Sequence, residues 1–181
     1  MQDKKILGLH KDKVHLVSYC PDWVKEFKKE KEILQKILGA IALQIEHVGS
    51  TSIPGLSAKP ILDIAVAVEN IETLAKLIPV LTKAGYDVLN SIENKGEILA
   101  RKGNTENRTH YIHIEVIGST YWNDHILFRD YLLKHPEYIK QYENLKESLA
   151  VQFQVDRKQY TSAKNEFIQS ILKLATDEIV K

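Results

Sequence analysis

The chain has little of what staples small proteins together. One cysteine, Cys20, stands among 181 residues, so an internal disulfide framework and a multi-cysteine zinc site are both excluded, and a reducing compartment suits it. Its 5 prolines and 8 glycines fall between periodic segments and punctuate them. There is no internal repeat and no low-complexity tract. No apolar run approaches the roughly 20 residues needed to span a bilayer. Met1-Gln2-Asp3-Lys4-Lys5 is polar with no long apolar stretch behind it, which argues against a signal peptide. Charge of one sign is lacking too: 25 Lys and Arg against 24 Asp and Glu leave +1. That balance disfavours nucleic acid as a bulk polyanionic partner and leaves a local basic patch open. A cytoplasmic chain that does not touch the membrane is expected.

What is present is ordinary globular material, 44% hydrophobic and 27% charged. A chain of this size buries about 70% of its unfolded surface, and a single domain over 1–181, with a helical tail over about 121–181, is expected. Residues 14–19 alternate as a short strand does. Cys20-Pro21-Asp22 opens a helix with Trp23, Phe27, Leu34 and Leu38 on its stripe and Gly39 as its stop. Strands are read at 41–48, 61–68, 86–89, 97–102 and 110–116. The second is apolar on both faces apart from Asp63, so it should lie inside the sheet. Asn70 caps a helix with the stripe Ile71, Leu74, Leu77, Ile78 and Leu81. From about Trp122 the chain is helical. One helix stops at His135-Pro136; a second carries Tyr138, Tyr142, Leu145, Leu149 and Phe153, and a third Tyr160, Phe167, Ile171 and Leu174. The order gives an α/β (α+β) fold, a sheet with a C-terminal helical pack. At helical spacing those aromatics read as core, not as a base-stacking platform.

The stretch from His47 to Val68 carries the chemistry. A strand runs into Gly49-Ser50, and after twelve intervening residues Asp63 sits on the most apolar strand. Glycine there lets the backbone turn sharply and approach a ligand. The hydroxyls and N–H groups that follow suit phosphate oxygens. Asp63 is costly to bury unless paired, and a divalent metal held with a nucleoside triphosphate is a natural partner. Capping of a turn, or pairing with Lys59 or Arg101, is the structural alternative. A P-loop is excluded: Gly49 and Gly55 enclose five residues, and Leu56-Ser57 stands where Lys-Ser or Lys-Thr is required.

The run His47-Val48-Gly49-Ser50-Thr51-Ser52-Ile53-Pro54-Gly55-Leu56, with Ala58-Lys59-Pro60-Ile61-Leu62-Asp63-Ile64, resembles the GrpB family, a branch of the nucleotidyltransferase superfamily with its polymerase-beta-like fold. The likeness continues through Arg108-Thr109-His110-Tyr111-Ile112-His113, Phe128-Arg129-Asp130-Tyr131-Leu132, His135-Pro136-Glu137 and the stretch 160–164, so it spans about 14–175. It implies a nucleotidyltransferase-like mixed sheet flanked by helices. It also implies metal-dependent transfer of a nucleoside monophosphate from a nucleoside triphosphate to a small acceptor. Gly49, Ser50 and Thr51 would hold the phosphates and Asp63 would hold Mg²⁺ (or Mn²⁺). Fusion of family members to dephospho-coenzyme A kinase implies a nucleotide-related context.

One position departs from the superfamily pattern. Active members carry two acids on one strand, Asp-x-Asp or Asp-x-Glu, both aimed at the same site by the alternation of side chains. Here the second is Ala65, which ligates nothing. Glu115 is the candidate for the missing metal ligand. His113, two residues away and on the same face, would ligate metal, position phosphate or take the acceptor's proton. The same spacing fits the wet face of an edge strand. Lys59, Arg101 and Arg108 either complete an anionic pocket or stand as solvated charges. Arg129 reaches the ligand if its side of the helix faces the sheet. His47 is read as a structural histidine that fixes the turn. Ala65 favours an alternative function, a catalytically degenerate module that binds a nucleotide or coenzyme and transfers nothing.

Overall fold

The computed structural model describes residues 6–89 and 96–180. Helix α1 (Asp22–Leu38) ends where Gly39 takes φ 55. A single 3₁₀ turn then delivers the chain to strand β1 (Gln44–Val48). After a second short turn at Ser50–Ser52 comes β2 (Leu62–Val68). Helix α2 (Ile71–Lys83) begins as expected at Asn70, whose side chain accepts from the Thr73 N–H. Three further strands follow, β3 (Asp87–Leu89), β4 (Glu97–Gly103) and β5 (Arg108–Val116). Helices α3 (Thr120–Lys134), α4 (Pro136–Gln152), α5 (Arg157–Ala163) and α6 (Asn165–Ile179) close the chain.

The strands form a mixed sheet in the order β1-β2-β5-β4-β3, with β2 and β5 parallel and every other neighbour antiparallel. Period-2 alternation divides β2 cleanly. Leu62, Ile64, Val66 and Val68 face one way, into a core completed by Trp23, Leu34 and Leu38 of α1 and Leu74, Leu77 and Leu81 of α2. Asp63, Ala65 and Ala67 face the other way. There they lie opposite Tyr111, His113 and Glu115 of β5, and α3 covers Ala65 and Ala67 with Trp122. The remaining C-terminal helices pack on α3. Phe128, Leu132, Tyr142, Ile171 and Leu172 form a second core that also receives Ile53 and Leu56 from the loop before β2. Helices thus flank a five-stranded mixed sheet, as expected.

Four local readings need correction. Residues 14–19 form no strand; Val17 makes one antiparallel bridge to Ala58 and the segment runs on as coil. The strand expected from 41 begins at Gln44, because residues 39–41 complete a 3₁₀ turn. The last helix divides into α5 and α6 at Lys164. β5 is no edge strand, since β2 and β4 hold it on both sides. Among the described residues no helix is long and apolar enough to cross a membrane.

The two-faced character of β2 makes a stability prediction. Ile64 is 0% exposed, and Ile64→Ala should cost about 2–5 kcal/mol in urea unfolding. Asn70→Ala, which removes only a helix cap, should cost about 1 kcal/mol. Equal losses would show that the oily face of β2 does not anchor the fold.

Candidate functional site

Asp63 and the Gly-Ser bend are neighbours because of strand register. Val48 is the cross-strand partner of Asp63, so Gly49 begins its turn beside the carboxylate. Gly49 has φ 68, and a Cβ built there would lie 2.7 Å from Asp63 Oδ2 and 2.9 Å from its Cβ. No side chain fits in that space. The bend is then tied by Ser52 Oγ, which donates to Gly49 O at 2.6 Å. Thr51 is 1% exposed and its hydroxyl lies 2.9 Å from His47 Nε2. His47 itself stacks on Phe27, centroids 4.8 Å apart. Burial drives His47 down to about 4, against the pull of Asp63, so the ring is neutral and structural, as read.

On its other side Asp63 meets His113. His113 Nε2 is 3.7 Å from Asp63 Oδ1, and Nδ1 is 2.7 Å from Glu97 Oε1. Burial works against charge on this ring, but the hydrogen bonds and charges of Asp63 and Glu97 outweigh it and lift His113 to about 10. Burial likewise opposes ionisation of both acids, and His113 more than compensates, holding Asp63 and Glu97 below the usual carboxylate range. The imidazolium is therefore shared between two carboxylates.

Next to Asp63 opens a cavity of about 230 Å³. Ser50, Thr51, Asp63 and His113 line it together with Lys59, Lys146, Arg157 and Lys164, and Asp63 is its only carboxylate among the described residues. Lys146 is 1% exposed and donates to Ser57 O. Ser57 is in turn gripped by Glu143, whose Oε1 accepts from its hydroxyl at 2.7 Å, so α4 is stapled to the loop before β2. Lys59 and Lys164 hang over the Tyr160 ring at 5.4 and 4.6 Å. Burial lowers Lys59 to about 7, with Arg157 and Lys164 adding to it and Asp63 opposing. It lowers Lys146 to about 7 and Lys164 to about 8 as well. Crowded, desolvated cations of this kind gain most from an incoming anion.

A second hollow of about 590 Å³ adjoins the first and shares Tyr111, Arg157 and Thr161 with it. Arg101, Arg108, Lys11 and Lys158 line it. A third, of about 880 Å³, is lined mainly by apolar residues such as Val14, Leu16, Val151 and Val155, and Asp63 is not part of it.

These placements sort the candidate residues. Asp63, Gly49, Ser50, Thr51, Lys59 and His113 come together at one cavity. Arg108 does not; it is 4% exposed, 3.7 Å from Asp87, and lines the adjoining hollow with Arg101, itself 2.6 Å from Asp87. Arg129 does face the sheet, but to hold it. Its guanidinium donates to Glu46 at 2.8 Å, to His47 O at 3.0 Å and to Asp130 at 2.8 Å, leaving it no part in the cavity wall. Glu115 shares the face of Asp63 but lies four residues along, about 13 Å at strand spacing. It is not a co-ligand of Asp63; its Oε1 is 2.9 Å from His125 Nδ1 instead. Ala65 is covered by Trp122, so no second acid could enter at that position. One carboxylate, Asp63, faces the cavity, a donor set for at most one hard dication and not for a pair. Lys146, Arg157, Lys164 and His125 escaped the sequence reading. Lys146 and Lys164 each stand four residues after a tyrosine, and His125 stands three after Trp122, which is the one signal they carry.

Fold and site together define a mixed α/β protein with one apolar sheet face and one polar, cation-rich face roofed by C-terminal helices. The family model described as GrpB protein matches residues 13–174. The "Glutamate-rich protein GrpB" of Alkalihalophilus pseudofirmus is 39% identical over 171 residues, covering 92% of this chain and 98% of that protein. "UPF0157 protein YqkA" of Bacillus subtilis is 36% identical over 160 residues, 88% of this chain and 46% of that one. The crystal structure of the conserved protein GrpB from Enterococcus faecalis superposes with TM-score 0.84 at 35% identity, over 92% of this chain and 100% of its own. The chain belongs to the GrpB family.

The shared imidazolium makes a prediction with a sign. His113 sits at about 10 in the fold against an ordinary 6.5. Its stabilisation is therefore complete below 6.5 and lost as pH rises through about 10. Asp63 and Glu97 are lowered, so theirs is lost as pH falls through their folded values. His113→Ala should cost about 2 kcal/mol near pH 6, less than the roughly 3–5 of a fully buried pair because the Asp63 side chain is 35% exposed. The deficit in urea melts should shrink toward both pH extremes; a pH-independent deficit would mean that packing, not charge, holds His113.

Proposed function

We propose that the chain is a nucleotidyltransferase whose lysine-lined cavity holds the polyphosphate of a nucleoside triphosphate or a related phosphorylated small molecule. The observation that carries this reading is the charge imbalance: Lys59, Lys146, Lys164 and Arg157 face a single carboxylate, Asp63, across a small cavity. An arrangement of that kind is unfavourable empty and is relieved by a polyanion. Ser50 at the start of its turn and Lys59 just before β2 would grip phosphate oxygens. Asp63 would be the protein ligand of one Mg²⁺ (or Mn²⁺), which would supply charge neutralisation at the phosphates. The transfer itself would form a bond from an acceptor oxygen to the α-phosphorus, break the bond to pyrophosphate and release the acceptor's proton to solvent. The four cations would lower the energy of the charge that builds on the leaving pyrophosphate. His113, kept protonated by Asp63 and Glu97, would fix the carboxylate's direction and would not serve as the base.

A second reading, binding without transfer, is favoured by Ala65 and by the distance of Glu115 from Asp63. The two separate in one experiment on the purified protein, with ATP, GTP, CTP, UTP and coenzyme A tested with and without Mg²⁺. A rise in melting temperature with Mg²⁺ and release of pyrophosphate in the presence of an acceptor mixture support transfer. Stabilisation with no pyrophosphate supports binding alone. No stabilisation by any of them sinks both. Asp63→Asn should keep the fold and lose the Mg²⁺ dependence.

The lowered lysines add a pH test. Phosphate oxygens are fully ionised by about pH 7, while Lys59 and Lys146 lose their protons around 7 and Lys164 around 8. Affinity for the phosphorylated ligand, read by calorimetry, should therefore fall between pH 7 and 9. Lys164→Met should weaken it about tenfold to a hundredfold, the worth of one charge-assisted hydrogen bond. Affinity that is flat over that range would remove the lysines from the site.

A further inference from the structure

Beyond Asp63 on the same sheet face lies a cluster of which the nucleotide reading uses only His113. Glu115 is 0% exposed, and neither of its carboxylate oxygens has a hydrogen-bond partner among the described residues. His125 Nδ1 of α3 is 2.9 Å from Glu115 Oε1, yet that nitrogen also makes no aligned hydrogen bond. His113 lies alongside, its ring centroid 4.7 Å from that of His125. One ligating atom from each of His113, Glu115 and His125 falls within 4.8 Å of the other two.

A buried carboxylate left without a proton donor is unfavourable. His125 and Glu115 approach to ion-pair distance without an aligned hydrogen bond between them, a spacing that two ligands of one metal ion also present. Zinc binds imidazole nitrogen at about 2.0–2.1 Å and carboxylate oxygen at about 2.0–2.2 Å, which sets tetrahedral ligand atoms about 3.3 Å apart; His125 and Glu115 stand at 2.9 Å and the three ligating atoms within 4.8 Å, so a small side-chain adjustment closes the set. His113 is oriented for the same task. Its Nδ1 is engaged by Glu97 at 2.7 Å, the carboxylate–histidine arrangement that fixes a metal-binding imidazole; a metal at Nε2 would displace the proton that this nitrogen otherwise turns to Asp63, 3.7 Å away.

We propose that His113, Glu115 and His125 form a binding site for one transition-metal dication, with Glu97 as the residue that positions His113. Two imidazoles and one carboxylate select a borderline ion such as Zn²⁺ over Mg²⁺ or Ca²⁺, which prefer all-oxygen ligands. Three protein ligands leave a coordination place open, and the His125 side chain, 31% exposed, gives the ion a way in. The sequence places the ligands simply. His113 and Glu115 share a face of β5, and His125 stands one helical turn after Trp122, which seats α3 on Ala65 and Ala67. The site stands whether or not a nucleotide binds at Asp63.

The test uses the full chain, stripped with a chelator and titrated with Co²⁺ as a spectroscopic stand-in and with Zn²⁺ by calorimetry. One Co²⁺ per chain, giving a visible band that Zn²⁺ abolishes, is expected. His125→Ala, at a partly exposed position, should weaken Zn²⁺ at least about 100-fold, and Glu97→Gln about 10- to 100-fold. Lys164→Met, at a position that lines the Asp63 cavity and is not part of the His113–Glu115–His125 cluster, should bind Zn²⁺ like the unaltered chain, which separates this site from the nucleotide site. Zn²⁺, unlike Mg²⁺, should raise the melting temperature of the unaltered chain. The proposal is overturned if the unaltered chain takes up no Zn²⁺ or Co²⁺. It is equally overturned if His125→Ala binds as tightly as the unaltered chain, which would assign the uptake to other histidines.

Discussion

The parallel pairing of β2 with β5 is the constraint on which the rest depends. Its register sets Asp63, Ala65 and Ala67 against Tyr111, His113 and Glu115, and a slip of one residue would turn every one of them into the apolar core. Ile64, Val66, Ile112 and Ile114, each 0% exposed, make that slip prohibitive. The oily face therefore holds the polar face in place. The same alternation that builds the core delivers an aspartate, a histidine and a glutamate in file across the opposite surface, with small alanines beside them leaving room for α3.

Helix α3 then divides that surface. Trp122 covers Ala65 and Ala67, His125 meets Glu115, and Arg129 is fastened to Glu46 and to the backbone of His47. The three side chains lie on one helical stripe and do three different jobs. On one side of His113 the polar face is rich in lysine and opens toward solvent at Asp63. On the other it is rich in carboxylate and imidazole and is closed over Glu115. His113 touches both regions, with Glu97 fixing its ring.

Much of the frame was legible in the residues because it is local. Gly39, Asn70 and His135-Pro136 mark helix ends by backbone chemistry that needs no tertiary partner, and each stands where expected. The apolar run around Asp63 announced a strand buried on both faces. The nearness of Gly49 to Asp63 was expected from the Gly-Ser…Asp spacing, and the antiparallel register of β1 with β2 delivers it. The cation wall was not legible. Lys146, Arg157 and Lys164 belong to helices that reach Asp63 only by folding back over the sheet, and along the chain they look like ordinary wet-face charges. Arg129 differs in the opposite sense: its side of the helix does face the sheet, the condition set for reaching a ligand, but Glu46, which neutralises it, comes from a strand 83 residues earlier. Glu115 was displaced from its expected role by plain strand geometry, since residues four apart on one face cannot share an ion.

Arg157 lies between two hollows. Its guanidinium sits 4.7 Å from the centre of the Tyr111 ring and donates to the Tyr111 hydroxyl, and both residues line the Asp63 cavity as well as the basic hollow beside it. Tyr160 and Thr161 ride on the same seven-residue helix. A molecule long enough to span both hollows would pass this one side chain, so Arg157 is a position at which a single substitution alters both at once.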